Sequence, residues 1–271
     1  MTSSIRLHSL FPQGWGEGKR APFTTFRGMA TNASIQQFER PLDVSVIAPK
    51  RGHIYQLRGH GYAGRTMRKY AETWAASTLL RGECVHWIDG ASRMNPTRIL
   101  RRFPRGEAAA RDHLHRLYVG RGFTVHQLAT LVERLEREVS ITAAPLVIVD
   151  APLAMHLDRQ VGDHEARCLM RQLIQHLQSV AVLNNVAVLI ITEHMPTSKR
   201  HQHLLTMVER NSSHQLIEHV RGRGRNTRRW LSHEPSGSTG QWPQNQNVLR
   251  RYIEPNQQNE PQFAGLNDDS S

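Results

Sequence analysis

The sequence predicts an α/β protein whose central sheet is mainly parallel and is flanked by helices. From Leu42 onward, short apolar runs alternate with helical stretches of about a dozen residues, the order expected of crossover connections between parallel strands. Two of the runs, VIVD and VAVLIIT, are apolar on both faces, as central parallel strands are. A glycine-rich turn also joins one run to the helical stretch that follows it.

Eight segments are predicted as strands. In chain order their sequences are DVSVIAP, HIYQLRG, CVHWID, LHRLYVGRGF, PLVIVDAP, VAVLIIT, HQLIEHVRG and TRRWLSHEP. The last two flank a basic connection, and we expect them to extend the sheet as antiparallel hairpin strands. Helices are predicted over residues 66–80, 97–102, 125–138 and 164–183.

Composition divides the chain into three parts. Residues 1–40 are rich in Gly, Ser, Thr, Gln and Pro and are predicted to form an irregular arm. Residues 41–253 hold the alternating pattern and are predicted to form one domain. Residues 254–271 are rich in Asn, Gln and Pro, which predicts a disordered tail; a polar, low-complexity stretch, PSGSTGQWPQNQN, leads into it.

The charge balance favours a polyanionic partner. Lys and Arg number 35 against 23 Asp and Glu, a net charge of +12. Nucleic acid is the first expectation and an acidic membrane surface the second; the alternative is a generically basic protein. No apolar run approaches the roughly 18 residues that span a bilayer, so no membrane partner is expected. We expect an intracellular protein, nuclear in a eukaryote and otherwise cytoplasmic and nucleoid-associated.

The glycine-rich turn is a candidate phosphate loop, residues 59–66, with the sequence GHGYAGRT. The N–H groups around Gly59, Gly61 and Gly64, with the following helix N-terminus, would bind the phosphates of ATP. The hydroxyl of Thr66 would bind its Mg²⁺. Arg65 stands where such loops carry lysine; it keeps the charge, but its planar fork is not interchangeable with an ammonium. The alternative is a glycine-rich turn without a ligand.

Two aspartates end predicted strands and should lie near this loop. Asp150 closes PLVIVD and would help to hold Mg²⁺. Asp89 closes CVHWID at the same carboxyl edge of the sheet, where ligands bind in open α/β sheets. It would either orient an attacking water as a base or only cap the turn that follows it.

Basic loops should leave the same edge and could follow the backbone of single-stranded DNA. The predicted DNA-binding residues are Arg159, Lys199, Arg200, Arg221, Arg223, Arg225, Arg228 and Arg229. The alternative is a solvated basic face.

In order and spacing, these motifs resemble the RecA-like recombinases, in particular the RadA-type branch and its paralogs. The resemblance covers about residues 45–235, from GHGYAGRT through CVHWID, NPTRI and PLVIVDAP to VAVLIITEHMP and RGRGRNTRR. It implies a RecA-like P-loop ATPase core that uses ATP and Mg²⁺. By position it implies that Arg98 stacks on adenine and that residues 158–165 and 195–208 form two DNA-binding loops. It also places His194 where the family has a glutamine that senses the γ-phosphate.

Three positions depart from that family pattern. Arg65 replaces the loop lysine, His194 replaces the sensor glutamine, and Ala91 stands at the catalytic glutamate, two residues after Asp89. We therefore expect a recombinase paralog, an accessory factor in DNA recombination or repair that binds single-stranded DNA and ATP with weak or absent hydrolysis. Its expected partners are an active recombinase or other paralogs, in a homo- or hetero-oligomer. The alternatives are an active DNA-dependent ATPase and a non-enzymatic scaffold that binds an active recombinase.

Overall fold

The computed structural model describes residues 49–103, 110–222, 228–234 and 236–240. All of them belong to the compact unit Gln37–Ser271. They form one eight-stranded sheet with helices on both faces. The predicted α/β class is therefore confirmed. The predicted arm and tail, and residues 43–48 of the first predicted strand, lie outside the described residues.

Seven of the eight predicted strands are confirmed within the described ranges. The strands are β1 (Ile54–Gly59), β2 (Val85–Asp89), β3 (Leu117–Arg121), β4 (Leu146–Asp150), β5 (Ala187–Glu193), β6 (His214–Arg221), β7 (Arg228–Glu234) and β8 (Ser238–Gly240). The helices are α1 (Arg65–Leu80), α2 (Pro96–Leu100), α3 (Ala110–His113), α4 (Val125–Thr142), α5 (Pro152–His156), α6 (Asp163–Leu183) and α7 (Lys199–Arg210). Within the described ranges, no helix is both long and apolar enough to cross a bilayer.

The order of the strands across the sheet is β3-β2-β4-β5-β1-β6-β7-β8. The first six run parallel, and β7 and β8 pair antiparallel beyond β6. The prediction of a mainly parallel sheet extended by C-terminal antiparallel strands is thus confirmed. Parallel strands place their carboxyl ends at one edge, so the loops after β1, β2, β4 and β5 meet there.

Besides the short helices α3 and α5, which were not predicted, strand β8 and helix α7 differ from the sequence prediction. Strand β8 falls in the stretch predicted to be polar and low in complexity; its pairing with β7 supplies backbone bonds that composition does not show. Helix α7 occupies most of the predicted second DNA-binding loop, 195–208. It begins after Ser198, whose hydroxyl accepts from the N–H of His201, and it buries Leu204 and Val208.

The core has one layer on each face of the sheet. Helices α1 and α2 cover one face with Tyr70, Trp74 and Ile99, whereas α4 to α7 cover the other. Strand β4 serves both layers, because alternate residues of a strand point to opposite faces. Its Ile148 packs in the first layer and its Val149 in the second. This double burial explains the unbroken apolar run in the sequence.

Gly64 holds the turn between β1 and α1 against the end of β5. Its φ is +63°, in the left-handed region that favours glycine. A Cβ atom at this position would lie 2.3 Å from the carbonyl oxygen of Thr192. The main chains of the turn and of β5 therefore touch at a point that admits no side chain.

We expect Gly64→Ala to destabilise the fold more than Gly82→Ala. Both glycines have positive φ, but a Cβ at Gly82 meets nothing within 4 Å, so the two variants share the conformational cost and differ in the clash. The difference in the free energy of unfolding should be about 1–3 kcal/mol, measured in urea. Equal losses would contradict the close packing of this turn on β5.

Candidate functional site

The carboxyl edge of the sheet brings together the loop and the aspartates singled out in the sequence. Gly59 at the end of β1 pairs in register with Glu193 at the end of β5, and Asp89 of β2 pairs with Asp150 of β4. Helix α1 starts directly above them at Arg65. The predicted convergence at one edge is therefore found in the structure.

The phosphate loop is held closed by its own main chain. The hydroxyl of Thr66 accepts from the N–H of His60 at 2.8 Å and lies 3.2 Å from the carbonyl oxygen of the same residue. The N–H of Thr66 also donates to that carbonyl, at 3.3 Å. Gly61 and Ala63 both have positive φ, which curls the loop. The hydroxyl predicted to bind Mg²⁺ is thus occupied within the loop.

A carboxylate takes one of the N–H groups predicted to bind phosphate. Oε1 of Glu193 accepts from the N–H of Ala63 at 2.8 Å, and its Oε2 lies 3.4 Å from Nε2 of His201 in α7. Burial acts to raise the pKa of Glu193, but the contacts with His201 and Ala63 outweigh it and hold the pKa below its ordinary value. An ionised carboxylate therefore stands where a phosphate oxygen would bind.

Asp150, which was predicted to help hold Mg²⁺, is bound by an arginine of α1. Nε of Arg68 lies 2.5 Å from Oδ2 and its Nη2 lies 2.8 Å from Oδ1, a two-pronged ion pair. The two side chains are 3% and 0% exposed. Burial acts to lower the pKa of Arg68, but the bonds to Asp150 outweigh it and raise the pKa above its ordinary value. Burial also raises the pKa of Asp150, and the bonds to Arg68 only partly offset this, so the ionised carboxylate depends on its partner. The guanidinium therefore occupies both carboxylate oxygens.

These contacts do not fit a magnesium ion at the predicted place. Asp150, one of its two expected ligands, is bound at both carboxylate oxygens by Arg68, and a divalent cation beside this buried guanidinium would be repelled. Nor do the described residues contain any group of three or more His, Cys, Asp or Glu side chains that could hold a metal. Binding Mg²⁺ here would require breaking the Arg68–Asp150 pair.

Asp89 makes the contacts of a turn cap. Its buried carboxylate accepts from the N–H groups of Ala91, Arg93 and Met94, and from Nε of Arg121 at 3.1 Å. These four donors match the capping alternative. They leave Asp89 poorly suited to take a proton from water. Ala91, at the position where the resemblance would place a catalytic glutamate, carries no ionisable group.

His194 lies beside the loop, as its predicted sensor position requires. Its N–H donates to the carbonyl of Gly59 at 2.8 Å, and its ring centre lies 5.1 Å from that of His60 and 6.2 Å from that of His219 on β6. Burial lowers its pKa, and the nearby Arg58 lowers it further, so the neutral ring is favoured. His194 thus connects the loop to β6 without carrying charge.

Arg98 and Arg65 make no ion pair with Asp89 or Asp150 among the described contacts; instead they share a cavity wall with Arg68. Arg98 sits on the short helix α2, and both side chains line an open cavity of about 320 Å³ between α1 and α2. Among the described residues, no carboxylate forms an ion pair with either of them. The adenine-stacking role that the resemblance implies for Arg98 stays a prediction.

The predicted DNA-binding residues differ in their surroundings. Arg159, Lys199 and Arg221 are exposed at the carboxyl edge. Arg229 forms an ion pair with Glu218 at 3.3 Å. Arg223 and Arg225 lie outside the described residues, as does the side chain of Arg228.

Arg200 joins the two predicted DNA-binding loops. Its guanidinium donates to the carbonyl oxygens of His156 and Asp158 and lies 3.5 Å from a carboxylate oxygen of Asp163. His156 is buried, and its Nδ1–H donates to the carbonyl of Pro152 at 2.9 Å. Burial, and to a lesser degree Arg200, lowers the pKa of His156 to about 4. Arg200 therefore holds the loops together instead of pointing outward.

Sequence reasoning missed the exposed side chains at this edge. Tyr62, Phe123 and Met195 are 63%, 69% and 66% exposed, and each follows a parallel strand. The guanidinium of Arg93 lies over the Tyr62 ring, 5.7 Å from its centre. The signal available in the sequence was an aromatic residue at the tip of a glycine-rich loop, where no core can cover it.

Breaking the Arg68–Asp150 pair from one side should destabilise the fold strongly. We expect Arg68→Met and Asp150→Leu each to lower the free energy of unfolding by about 3–5 kcal/mol, because each leaves a buried charge without its partner. The double variant should lose less than either single one. Urea unfolding of the three variants measures this coupling, and additive losses would show that the two residues do not act as a pair.

His156 should make stability depend on pH. The unfolded chain binds its proton near pH 6.5 and the folded chain only near pH 4, so its contribution is complete above pH 6.5 and is lost as pH falls toward 4. Between about pH 7 and pH 5, the loss of unfolding free energy should be smaller in His156→Asn by about 2 kcal/mol. Urea unfolding at both pH values measures it; an unchanged difference would refute the neutral buried ring.

No protein-family model matches the chain, and no curated protein sequence matches it either. The resemblance to RecA-like recombinases therefore remains an expectation based on motif order. The functional assignment depends on the contacts at the carboxyl edge of the sheet.

Proposed function

We propose that the protein is a RecA-like recombinase paralog, an accessory factor in recombination or repair that binds single-stranded DNA and does not hydrolyse ATP at residues 59–66. The observation that carries the proposal is the buried two-pronged pair between Arg68 and Asp150. It replaces, by a side chain of the protein itself, the cation that a hydrolytic site needs at this carboxylate.

The pair argues against hydrolysis on energetic grounds. In phosphoryl transfer, a metal ion held by such an aspartate neutralises the charge that develops on the phosphates. Freeing Asp150 for that role would cost about 3–5 kcal/mol, the penalty of separating a buried ion pair. That cost would weaken metal–nucleotide binding by roughly 100-fold or more. The engaged Asp89 and the inert Ala91 remove the remaining candidates for a base. These contacts disfavour the active DNA-dependent ATPase.

The same contacts support a loop that keeps its shape without a ligand. Glu193 binds the N–H of Ala63 where a phosphate oxygen would, and Arg68 neutralises Asp150 where a metal would. Arg68 also donates to the carbonyl of Ala63 at 3.4 Å, so Arg68 and Glu193 both contact the same loop residue. In this proposal, the charges that a bound nucleotide and its metal would bring are replaced by side chains of the protein.

The DNA-binding part of the proposal draws on the exposed groups of the carboxyl edge. Arg159, Lys199 and Arg221 offer cations that can follow a phosphate backbone. Tyr62 and Phe123 offer exposed rings on which bases can stack. Cations and exposed rings along one edge of the sheet suit single strands, whose bases are free to leave a duplex stack. The net charge of +12 adds long-range attraction.

The partners follow from the resemblance alone. An active recombinase or other paralogs would share a homo- or hetero-oligomer with this chain, in the nucleus of a eukaryote or at the nucleoid of a prokaryote. Such an accessory factor would contribute DNA contacts while an active subunit supplies ATP turnover.

We expect salt-sensitive, nucleotide-independent binding to a labelled oligo-dT strand, measured by fluorescence anisotropy. Affinity should fall about tenfold or more between about 50 and 200 mM salt. Binding should need no nucleotide, so the affinity in EDTA should be at least as high as in ATP with Mg²⁺. Tyr62→Ala should weaken it by roughly 5- to 150-fold through loss of a stacked base, whereas the matched variant Tyr62→Phe keeps the ring and should bind like the parent.

Two results would overturn the proposal. One is the absence of oligo-dT binding at low salt. The other is binding that requires ATP and Mg²⁺ and is accompanied by DNA-stimulated phosphate release, which would indicate an active ATPase.

A further inference from the structure

An unusually basic cavity lies between α1 and α2, beside the phosphate loop. Its volume is about 320 Å³, and its wall consists of six cationic side chains and one carboxylate, that of Glu72. It opens on the face of the sheet covered by α1 and α2. The predicted DNA-binding loops around α5 and α7 belong to the opposite layer.

Only two of the six cations have acidic partners among the described residues. Arg68 is bound to Asp150. Arg102 contacts the buried carboxylate of Glu72 at 3.2 Å. The remaining four cations have no described ion pair; they are Arg65, Lys69, Arg98 and Arg101.

Lys69 is half-buried in the cavity wall beside other cations. Burial lowers the pKa of this amine; the attraction of Glu218 acts in the opposite direction, and Arg229 and Arg102 lower it further. An anion in the cavity would relieve that repulsion and favour the charged amine. The cavity is thus electrostatically prepared for a ligand that brings several negative charges.

We propose that this cavity binds phosphate groups directly, without a divalent cation. Guanidinium forks match the oxygens of a phosphate two at a time, and Arg65, Arg98 and Arg101 supply three such forks around Lys69. No apolar or aromatic side chain lines the wall, so its chemistry selects the phosphate portion of a ligand rather than a hydrophobic group. The four cations would neutralise the negative charge of the phosphates, as Mg²⁺ would beside Asp150.

Two sources offer this chemistry: the polyphosphate chain of a free nucleotide and the backbone of a nucleic acid. The backbone source rests on the proposed single-strand binding, whereas the polyphosphate source does not. Both require Arg98 and Arg101, which lie one turn apart on and just after α2.

The test uses the full chain in EDTA, with inorganic triphosphate measured by titration calorimetry and labelled oligo-dT by anisotropy. Arg98→Ala/Arg101→Ala should weaken binding of at least one probe by about tenfold or more, because two charge-assisted contacts are lost. Arg98→Lys/Arg101→Lys keeps the charge but loses the forks, and should give an intermediate loss. Arg137→Ala/Arg171→Ala removes the same charge from exposed positions on α4 and α6, and should leave both affinities within about twofold.

Each outcome either supports or overturns phosphate binding in the cavity. Loss of triphosphate binding alone identifies free polyphosphate, and loss of oligo-dT binding alone identifies the nucleic-acid backbone. If the cavity variant binds both probes like the control variant, at an equal urea midpoint, the inference is overturned while the proposed single-strand binding stands. If the parent chain binds triphosphate through the cavity but does not bind oligo-dT, the proposed function fails and the cavity assignment stands.

Discussion

The buried pair between Arg68 and Asp150 is the interaction on which the carboxyl edge of the sheet depends. It crosses from helix α1 to strand β4 and lies under the turn that connects β1 to α1. A carboxylate in this position is costly to bury alone, and a guanidinium that satisfies both of its oxygens removes that cost only if α1 starts where it does. The pair therefore sets the position of the helix, and the helix in turn shapes the loop.

The sheet separates two kinds of basic surface. On the side of α1 and α2, six cations are gathered in one cavity whose described wall holds one carboxylate, that of Glu72. At the edge above α5 and α7, cations are dispersed and mixed with exposed rings, and Arg200 is used to bind loop carbonyls. Clustered cations suit a ligand that carries several negative charges close together. Dispersed cations suit a long, flexible polymer such as a single nucleic-acid strand. The net charge of the chain does not show that its cations form these two different surfaces.

Much of the fold could be predicted because buried parallel strands are conspicuous in a sequence. The runs that became β4 and β5 are apolar up to their carboxyl ends, since both faces are covered. Helix α7 was missed because its sequence, KRHQHLLTMVER, is mostly polar and buries only a narrow stripe, including His201. Strand β8 was missed because three residues carry no periodicity.

The sequence predicted where the candidate site lies, but not which side chains pair with one another within it. Positions at strand ends follow from topology, so Asp89, Asp150 and the loop were expected together. The partner of Asp150 lies 82 positions earlier in the chain, inside a helix, and no local pattern reports such a pairing. Glu193 gave as little signal, because an acid at the end of a strand is common and only the fold brings it to Ala63.

Glu193 has a further consequence, because its two oxygens contact different parts of the molecule. One accepts from Ala63 in the loop and the other lies beside His201 in the first turn of α7. An anion that took the Ala63 N–H would repel this carboxylate, and a shift of His201 would change how firmly the carboxylate stays on the loop. Both contacts depend on the position of the same carboxylate. If binding at the loop changes the free energy of the His201 contact, a shift of His201 must change binding at the loop by the same amount. Occupancy of the loop and the position of α7 are thus thermodynamically linked through a single side chain.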